Sequence, residues 1–415
     1  MVRAILSAPG SRGDVNPMIA IGKQLQDSGV EVVISLAENY AHVAEGVGLR
    51  VAPVISRARF DEAIGNANVW RPIHGPIAIF RDVAPEFLES HDQVIRENHI
   101  PGETILVSHP LDLASRVFRD AHRSTPQAVV HLQPSILRTY NEPPRLSPWW
   151  FEVSRPAWLV KSLYGFVDHV CVDPVIRPSV NRLRAKHGLA PIRRILDRWW
   201  HDADRILAMY PKWYAPATAD YCDHLVHCGF PLADIDGEAF DRPTDKPIVF
   251  TSGTAHHHCR EFFELAVNAC RQLNRSGILL STHTENFPES LPETVKAMPY
   301  LSLRELLPHC GAIVHHGGIG TTSQAIAAGI PQVIRPLAFD QFDNAARVER
   351  LGVGSWLRRD NMMVEVLRQA SNRETGATLG ASKILEDYAG ELDSATNAAE
   401  TAAKQILSML ESNPR

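Results

Sequence analysis

The stretch 312–331, AIVHHGGIGTTSQAIAAGIP, constrains this chain more than any other. An apolar run ends in two histidines, His315 and His316. A glycine-rich turn follows, and hydroxyl residues then open a helix predicted over 320–329. A short apolar strand feeding a helix in this way belongs to a parallel sheet covered by helices. The same turn presents backbone N–H groups and a helix N-terminus, the arrangement that receives a phosphate.

The rest of the chain repeats the alternation. Strands are predicted at 2–7, 31–35, 104–108 and 128–132, with a helix over 17–28 that has Pro17 in its first turn. A second set follows at 247–251, 277–281, 312–315 and 331–335, with helices over 260–274, 340–351 and 361–371. A chain of 415 residues is too long for one ordinary core. The Gly-, Pro- and Asp-rich stretch before Pro247 is the expected linker, which gives domains 1–231 and 247–393 around a linker at 232–246.

Composition excludes several classes of function. Apolar content of 45% and charged content of 21% are those of a soluble globular protein. A net charge of -5 leaves no footprint for nucleic acid. Neither a signal-peptide core nor a run of membrane-spanning length is present, and the six cysteines form no CxxC pair. The expectation is a cytoplasmic protein with reduced thiols.

Four groups of residues could carry chemistry. Gly317, Gly318 and Gly320 let a backbone approach a diphosphate, Thr321 can donate to it, and His315 or His316 could touch it. The plainer reading is a tight turn that needs glycine for packing. Asp340 and Gln341, with Asn344 one turn on, suit paired sugar hydroxyls at a strand's C-terminal end, although Asp340 could simply cap a helix. Asp14 lies in the loop after the first strand, where a carboxylate could take a proton from a hydroxyl or cap the helix that follows. Thr254, in the first loop of the second half, is a further phosphate contact. Six of the eight tryptophans fall in 138–215, where they pack helices or line an apolar pocket. The tract from His256 to Cys259 has no partner set spaced for a metal, and none is expected.

Together these motifs resemble glycosyltransferase family 1, the GT-B fold. The likeness is carried by GSRGDVNP (10–17), HHGGIGTT (315–322), AIAAGIP (325–331) and PLAFDQFDNA (336–345), in that order over nearly the whole chain. Within the family, the stretches VFTSGT (249–254), LLPHC (306–310) and AAGIPQV (327–333) are similar to the rhamnosyltransferases of rhamnolipid synthesis. The resemblance implies two Rossmann-like domains facing each other across a cleft, with 394–415 crossing back onto the first. It implies an inverting transfer from a nucleoside-diphosphate sugar, dTDP-rhamnose-like or UDP-hexose, without metal or other cofactor. Asp14 matches the general base. His316 matches the diphosphate histidine, with His315 as the other candidate. Gly318, Gly320 and Thr321 match the phosphate cradle, Gly253 and Thr254 the opposing loop, and Asp340 and Gln341 the sugar pair. Tyr300, a Tyr in place of the family's Trp, and Leu301 fall where the base is held. Gly10, Ser11 and Gly13 form the acceptor loop, and Trp149 and Trp150 are placed beside it. The acceptor expected is an apolar molecule bearing a hydroxyl. A hydroxy fatty acid lipid, which would bring the protein near a membrane, leads, and a polyketide or other aglycone is the alternative. A nucleotide-sugar epimerase and a catalytically silent binding partner are the other classes to test; oligomeric state is left open.

Overall fold

The computed structural model describes residues 2–71, 74–147, 154–218, 220, 224–232, 240–254, 256, 259–299, 301–374, 379–394 and 397–411. Two parallel sheets organise it. The first holds β1 (Arg3–Ala8), β2 (Glu31–Ala37), β3 (Arg50–Ile55), β4 (Thr104–Ser108), β5 (Gln127–His131), β6 (Arg205–Ala208) and β7 (Leu225–His227), in the order β3-β2-β1-β4-β5-β6-β7. The second holds β8 (Ile248–Thr251), β9 (Gly277–Leu280), β10 (Val295–Met298), β11 (Ala312–His315), β12 (Gln332–Ile334) and β13 (Gly354–Trp356), in the order β10-β9-β8-β11-β12-β13. The strand order reverses between β1 and β4 in one sheet and between β8 and β11 in the other. Such switch points open crevices at the strands' C-terminal ends.

The helices used below are α1 (Arg12–Asp27), α2 (Ala157–Val167), α3 (Asp173–Lys186), α4 (Ile319–Ala327), α5 (Gln341–Leu351) and α6 (Ala398–Glu411). The central strands are buried on both faces, as their unbroken apolar runs require; β1, β4, β8 and β11 carry almost no exposed residue. Helix α1 starts at Arg12 rather than at Pro17. The Asp14 carboxylate accepts the N–H of Ser11 at 3.0 Å, closing a capping box that starts the helix earlier and leaves Pro17 inside it. The linker expected at 232–246 lies partly outside the described residues. β7 ends at His227 and β8 begins at Ile248.

Helix α6 packs on the first domain. Ala402, Ala403 and Ile406 join the core built on Leu6, Val15 and Met18, and Arg205 donates to the Gln405 carbonyl at 3.0 Å and to Ser408 Oγ at 2.8 Å. The domains also share an apolar cluster, in which Tyr210, Tyr214 and Phe230 meet Ile334, Phe342 and Trp356. Among the described residues no helix is long and apolar enough to cross a membrane.

Candidate active site

The two switch points supply four loops. In the first domain β1 and β4 lie side by side, Leu6 against Val107, so the turn into α1 that carries Asp14 and the loop that carries His109 leave the sheet together. Asp14 is hydrogen-bonded at one oxygen and has His109 near the other. Its Oδ2 accepts from Ser11 N, and its Oδ1 lies 3.4 Å from His109 Nε2. Leu111 N donates to His109 Nδ1 at 3.2 Å, which assigns the proton of the neutral ring to Nε2, the nitrogen on the Asp14 side. Gly10 is required by close approach, since a Cβ there would stand 2.2 Å from Asp14 Oδ2.

A buried polar floor supports His109. Its backbone N–H donates to Ser7 Oγ, which donates to Asp112 Oδ2 at 2.7 Å. Ser115 Oγ donates to the same oxygen, and His91 Nε2 lies 3.1 Å from it. Burial opposes the charge on Asp112, but His91, Ser115 and Ser7 outweigh it and hold its pKa at about 2.

In the second domain β8 and β11 also run side by side, with Thr251 opposite His315, so the loop 252–254 and the glycine turn start together. The ring of His316 fills the space between them. A Cβ on Gly253 would stand 2.7 Å from its Cε1, and one on Gly318 2.6 Å from its Nε2. These two glycines are therefore demanded by the histidine. Gly320 differs: a Cβ there meets nothing within 4 Å. Helix α4 begins here without a side-chain cap. Its first N–H groups face outward from the turn, at the positive end of the helix dipole. Burial, then the neighbouring His315, pushes the pKa of His316 down to about 3. His316 is neutral at ordinary pH and can give or accept a hydrogen bond but adds no charge.

Several expected ligand contacts prove to be supports. His315 is fully buried; its Nδ1 accepts from Gly317 N at 3.1 Å and its Nε2 meets Gln332 Oε1 at 3.0 Å. Of the pair, only His316 keeps some exposure. Gly317 spends its N–H on His315, and a Cβ there would strike Ile334 Cγ2 at 2.6 Å, so packing explains this glycine. Asn344 is fully buried: its amide N–H groups go to the Gly317 carbonyl and to Asp340 Oδ2, both at 2.8 Å, and its Oδ1 accepts from Tyr214 at 2.9 Å. It aims Asp340 and cannot itself touch a sugar. Gln341 Oε1 accepts from Leu337 N and Ala338 N, shaping the loop before α5. Leu301 is buried in the core, which leaves only its backbone to meet a base. Tyr300, Trp149 and Trp150 lie outside the described residues. Among the tryptophans of the rich segment, Trp199 donates to Asp120, Trp200 to the Pro110 carbonyl, and Trp213 stacks on Tyr388. These three pack elements together.

The two halves of the site face one another. Asp340 has its pKa raised to about 7, first by burial and next by the charge of Asp14, so the two carboxylates sense each other across the cleft. Trp70 of the first domain lies edge-on to His256 at 5.0 Å and to Phe339 at 6.2 Å. Arg145 N donates to Asp343 at 3.0 Å beside the same cleft. No group of three or more His, Cys, Asp or Glu among the described residues could hold a metal ion. Sequence reasoning missed His109 and Trp70. The signal for His109 was present: it follows a predicted strand directly, as Asp14 follows the first. Trp70 carried none, because only the tertiary structure sets it against the other domain.

Known proteins resemble this chain in sequence and in fold. Residues 277–404 match the family described as Erythromycin biosynthesis protein CIII-like, C-terminal domain. O-mycaminosyltylonolide 6-deoxyallosyltransferase of Streptomyces fradiae is 27% identical, over 85% of each chain. The chain is a GT-B glycosyltransferase. The sterol 3-beta-glucosyltransferase of Yarrowia lipolytica is also 27% identical over 85% of this glycosyltransferase, which spans 25% of that longer protein. Among solved structures, the glycotransferase of kitacinnamycin superposes with a TM-score of 0.74 at 16% identity, covering 99% of both chains. A spinosyn rhamnosyltransferase complexed with thymidine diphosphate gives 0.65 at 17% identity, covering 98% of this chain and all of its own. At such identities these two show the shared fold.

Proposed function

We propose that this glycosyltransferase moves a sugar, with inversion, from a nucleoside-diphosphate sugar to a hydroxyl of an apolar aglycone. The observation that carries the reading is the meeting of two switch points: a carboxylate on one side, and a glycine turn with an uncapped helix N-terminus on the other. Asp14 takes the acceptor's hydroxyl proton while that oxygen bonds to the anomeric carbon. The bond from that carbon to the diphosphate breaks as the new one forms. The leaving diphosphate gathers its charge at the start of α4, where Gly318, Gly320 and Thr321 offer N–H groups and the dipole supplies about half a positive charge. His316 adds a neutral hydrogen bond, with Gly253 and Thr254 opposite. His109 orients Asp14. Asp340, aimed by Asn344, takes the sugar hydroxyls, and Gln341, whose Oε1 is spent on the loop, can join it only through its amide N–H groups. Tyr300 and Leu301 remain the positions for the base. No step calls on a metal ion.

The names of the relatives favour a macrolide-like or steroid-like acceptor. Thymidine diphosphate in the spinosyn rhamnosyltransferase favours a dTDP-sugar donor. A hydroxy fatty acid lipid is the second acceptor reading, favoured by the stretches similar to rhamnolipid enzymes. The test is Asp14→Asn. The variant should lose transfer by roughly 10²–10⁴-fold and keep its nucleotide-induced rise in melting temperature. Near-normal turnover would remove Asp14 from the mechanism. A wild-type protein stabilised by no nucleotide would remove the donor site.

A further inference from the structure

Helix α2 is built for an apolar environment and does not have one inside the protein. Its sequence AWLVKSLYGFV has one charged residue, yet Val160 is its one buried side chain. Six of the nine exposed large apolar residues among the described part lie between 158 and 170: Trp158, Leu159, Leu163, Phe166, Val167 and Val170. Trp158 is 68% exposed and Phe166 64%. Their spacing of three to four residues places most of them on one stripe. Contiguous exposed patches of this kind mark an interaction surface.

The patch is anchored at its C-terminal end. Past a π-helical turn at Asp168–Val172 the helix continues as α3, whose Ile176, Val180 and Leu183 are locked into a core with Ile95 and Phe118. The charges that the stretch 154–173 itself leaves exposed have one sign, and the nearest carboxylates of other elements, Asp197 and Asp220, are engaged by Arg194 and by Tyr140 N and Asn141. Asp168 is buried and bound by Arg138 at 2.8 and 2.9 Å, and Asp173 is buried and accepts Arg194 N and Ile195 N. Both carboxylates of the stretch 154–173 thus turn inward, while Arg155 and Lys161 stay exposed.

We propose that this face docks the protein on an anionic lipid surface. The apolar stripe would enter the headgroup boundary, as the apolar side of an interfacial helix does, with Arg155 and Lys161 against lipid phosphates. A second copy of the chain fits less well, because a twofold contact on this face would set the same cations against each other. The inference goes beyond the transfer reaction and holds whichever sugar is moved.

The experiment is flotation of the full chain with vesicles of phosphatidylcholine alone and of equal parts phosphatidylcholine and phosphatidylglycerol. The protein should float with the mixed vesicles, and far less with the neutral ones or at high salt. The double variant Trp158→Ser/Phe166→Ser should weaken retention by roughly tenfold or more, and Lys161→Glu should weaken it on anionic vesicles. Both should keep the wild-type melting temperature and nucleotide response. Wild-type protein that stays at the bottom with anionic vesicles would overturn the proposal. So would a double variant that floats normally, or a dimer in sedimentation velocity that this variant dissociates. The nucleotide response is read separately, so failure to float leaves the donor site standing, and loss of the nucleotide response leaves the docking face standing.

Discussion

Replacing Gly320 by alanine separates folding from donor binding at a single atom. Gly320 is the second residue of α4, and its added Cβ meets no neighbour within 4 Å. Alanine in a helix gains roughly 0.5–1 kcal/mol over glycine. For a domain of this size that raises melting by roughly 1–4 °C. In a helix, however, the Cβ leans toward the N-terminus. Here that is the space in which the turn's N–H groups would hold the diphosphate. Losing one charge-assisted bond costs roughly 1.5–3 kcal/mol, which is roughly ten- to a hundredfold in affinity. At a nucleotide concentration of about 100 times the dissociation constant, wild-type protein gains about 2.7 kcal/mol. A hundredfold weaker variant would gain about 0.4 kcal/mol under the same conditions. The assay is thermal unfolding with and without dTDP and UDP. The expected result is a protein that melts higher alone and responds little to either nucleotide. A variant that melts higher and keeps its full nucleotide shift would refute the phosphate position.

Other perturbations address the neighbours of that turn. Gly253→Ala should lower both stability and nucleotide binding, because its φ of 84° is strained for alanine and its Cβ would displace the His316 ring; calorimetry and nucleotide titration read the two losses, and an unaffected nucleotide affinity would argue against His316. His109→Leu should cut kcat while leaving the nucleotide-induced shift, and His109→Gln, which keeps an N–H donor, should recover much of the loss; equal damage by both would make His109 merely a packing residue. Asp340 has its pKa raised from 3.8 to about 7, so the native state holds a proton that the unfolded chain releases. Stability without ligand should therefore fall as pH rises from about 4 to about 7, by an amount on the order of 2 kcal/mol once cleft water screens the charge. Asp340→Asn should flatten that slope in denaturant titrations across the window.

The sequence by itself determined the α/β alternation, the strands that carry the site and the loops that follow them. β4 and β11 stand where their apolar runs place them, since a strand buried on both faces must be apolar throughout. Asp14, His316, Gly318 and Gly320 were legible because each sits at a strand end or helix start, positions that local spacing specifies. Edge strands such as β3, β7 and β10 were not, because exposed or partly exposed residues break the apolar signal that marks a central strand. Only the tertiary structure decided which polar groups face the cleft. His315 and His316 are neighbours in sequence, but adjacent side chains at a strand end point opposite ways, so one is buried against Gln332 and the other lies between Gly253 and Gly318. Asn344 turned inward for the same kind of reason, drawn to the Gly317 carbonyl and to Tyr214, a partner 130 residues away. The roles of His109 and Trp70 depend on chain segments brought together across a switch point and across a cleft. Spacing along one chain cannot encode those juxtapositions, because the pairing of β1 with β4 creates the first and the packing of one domain on the other creates the second.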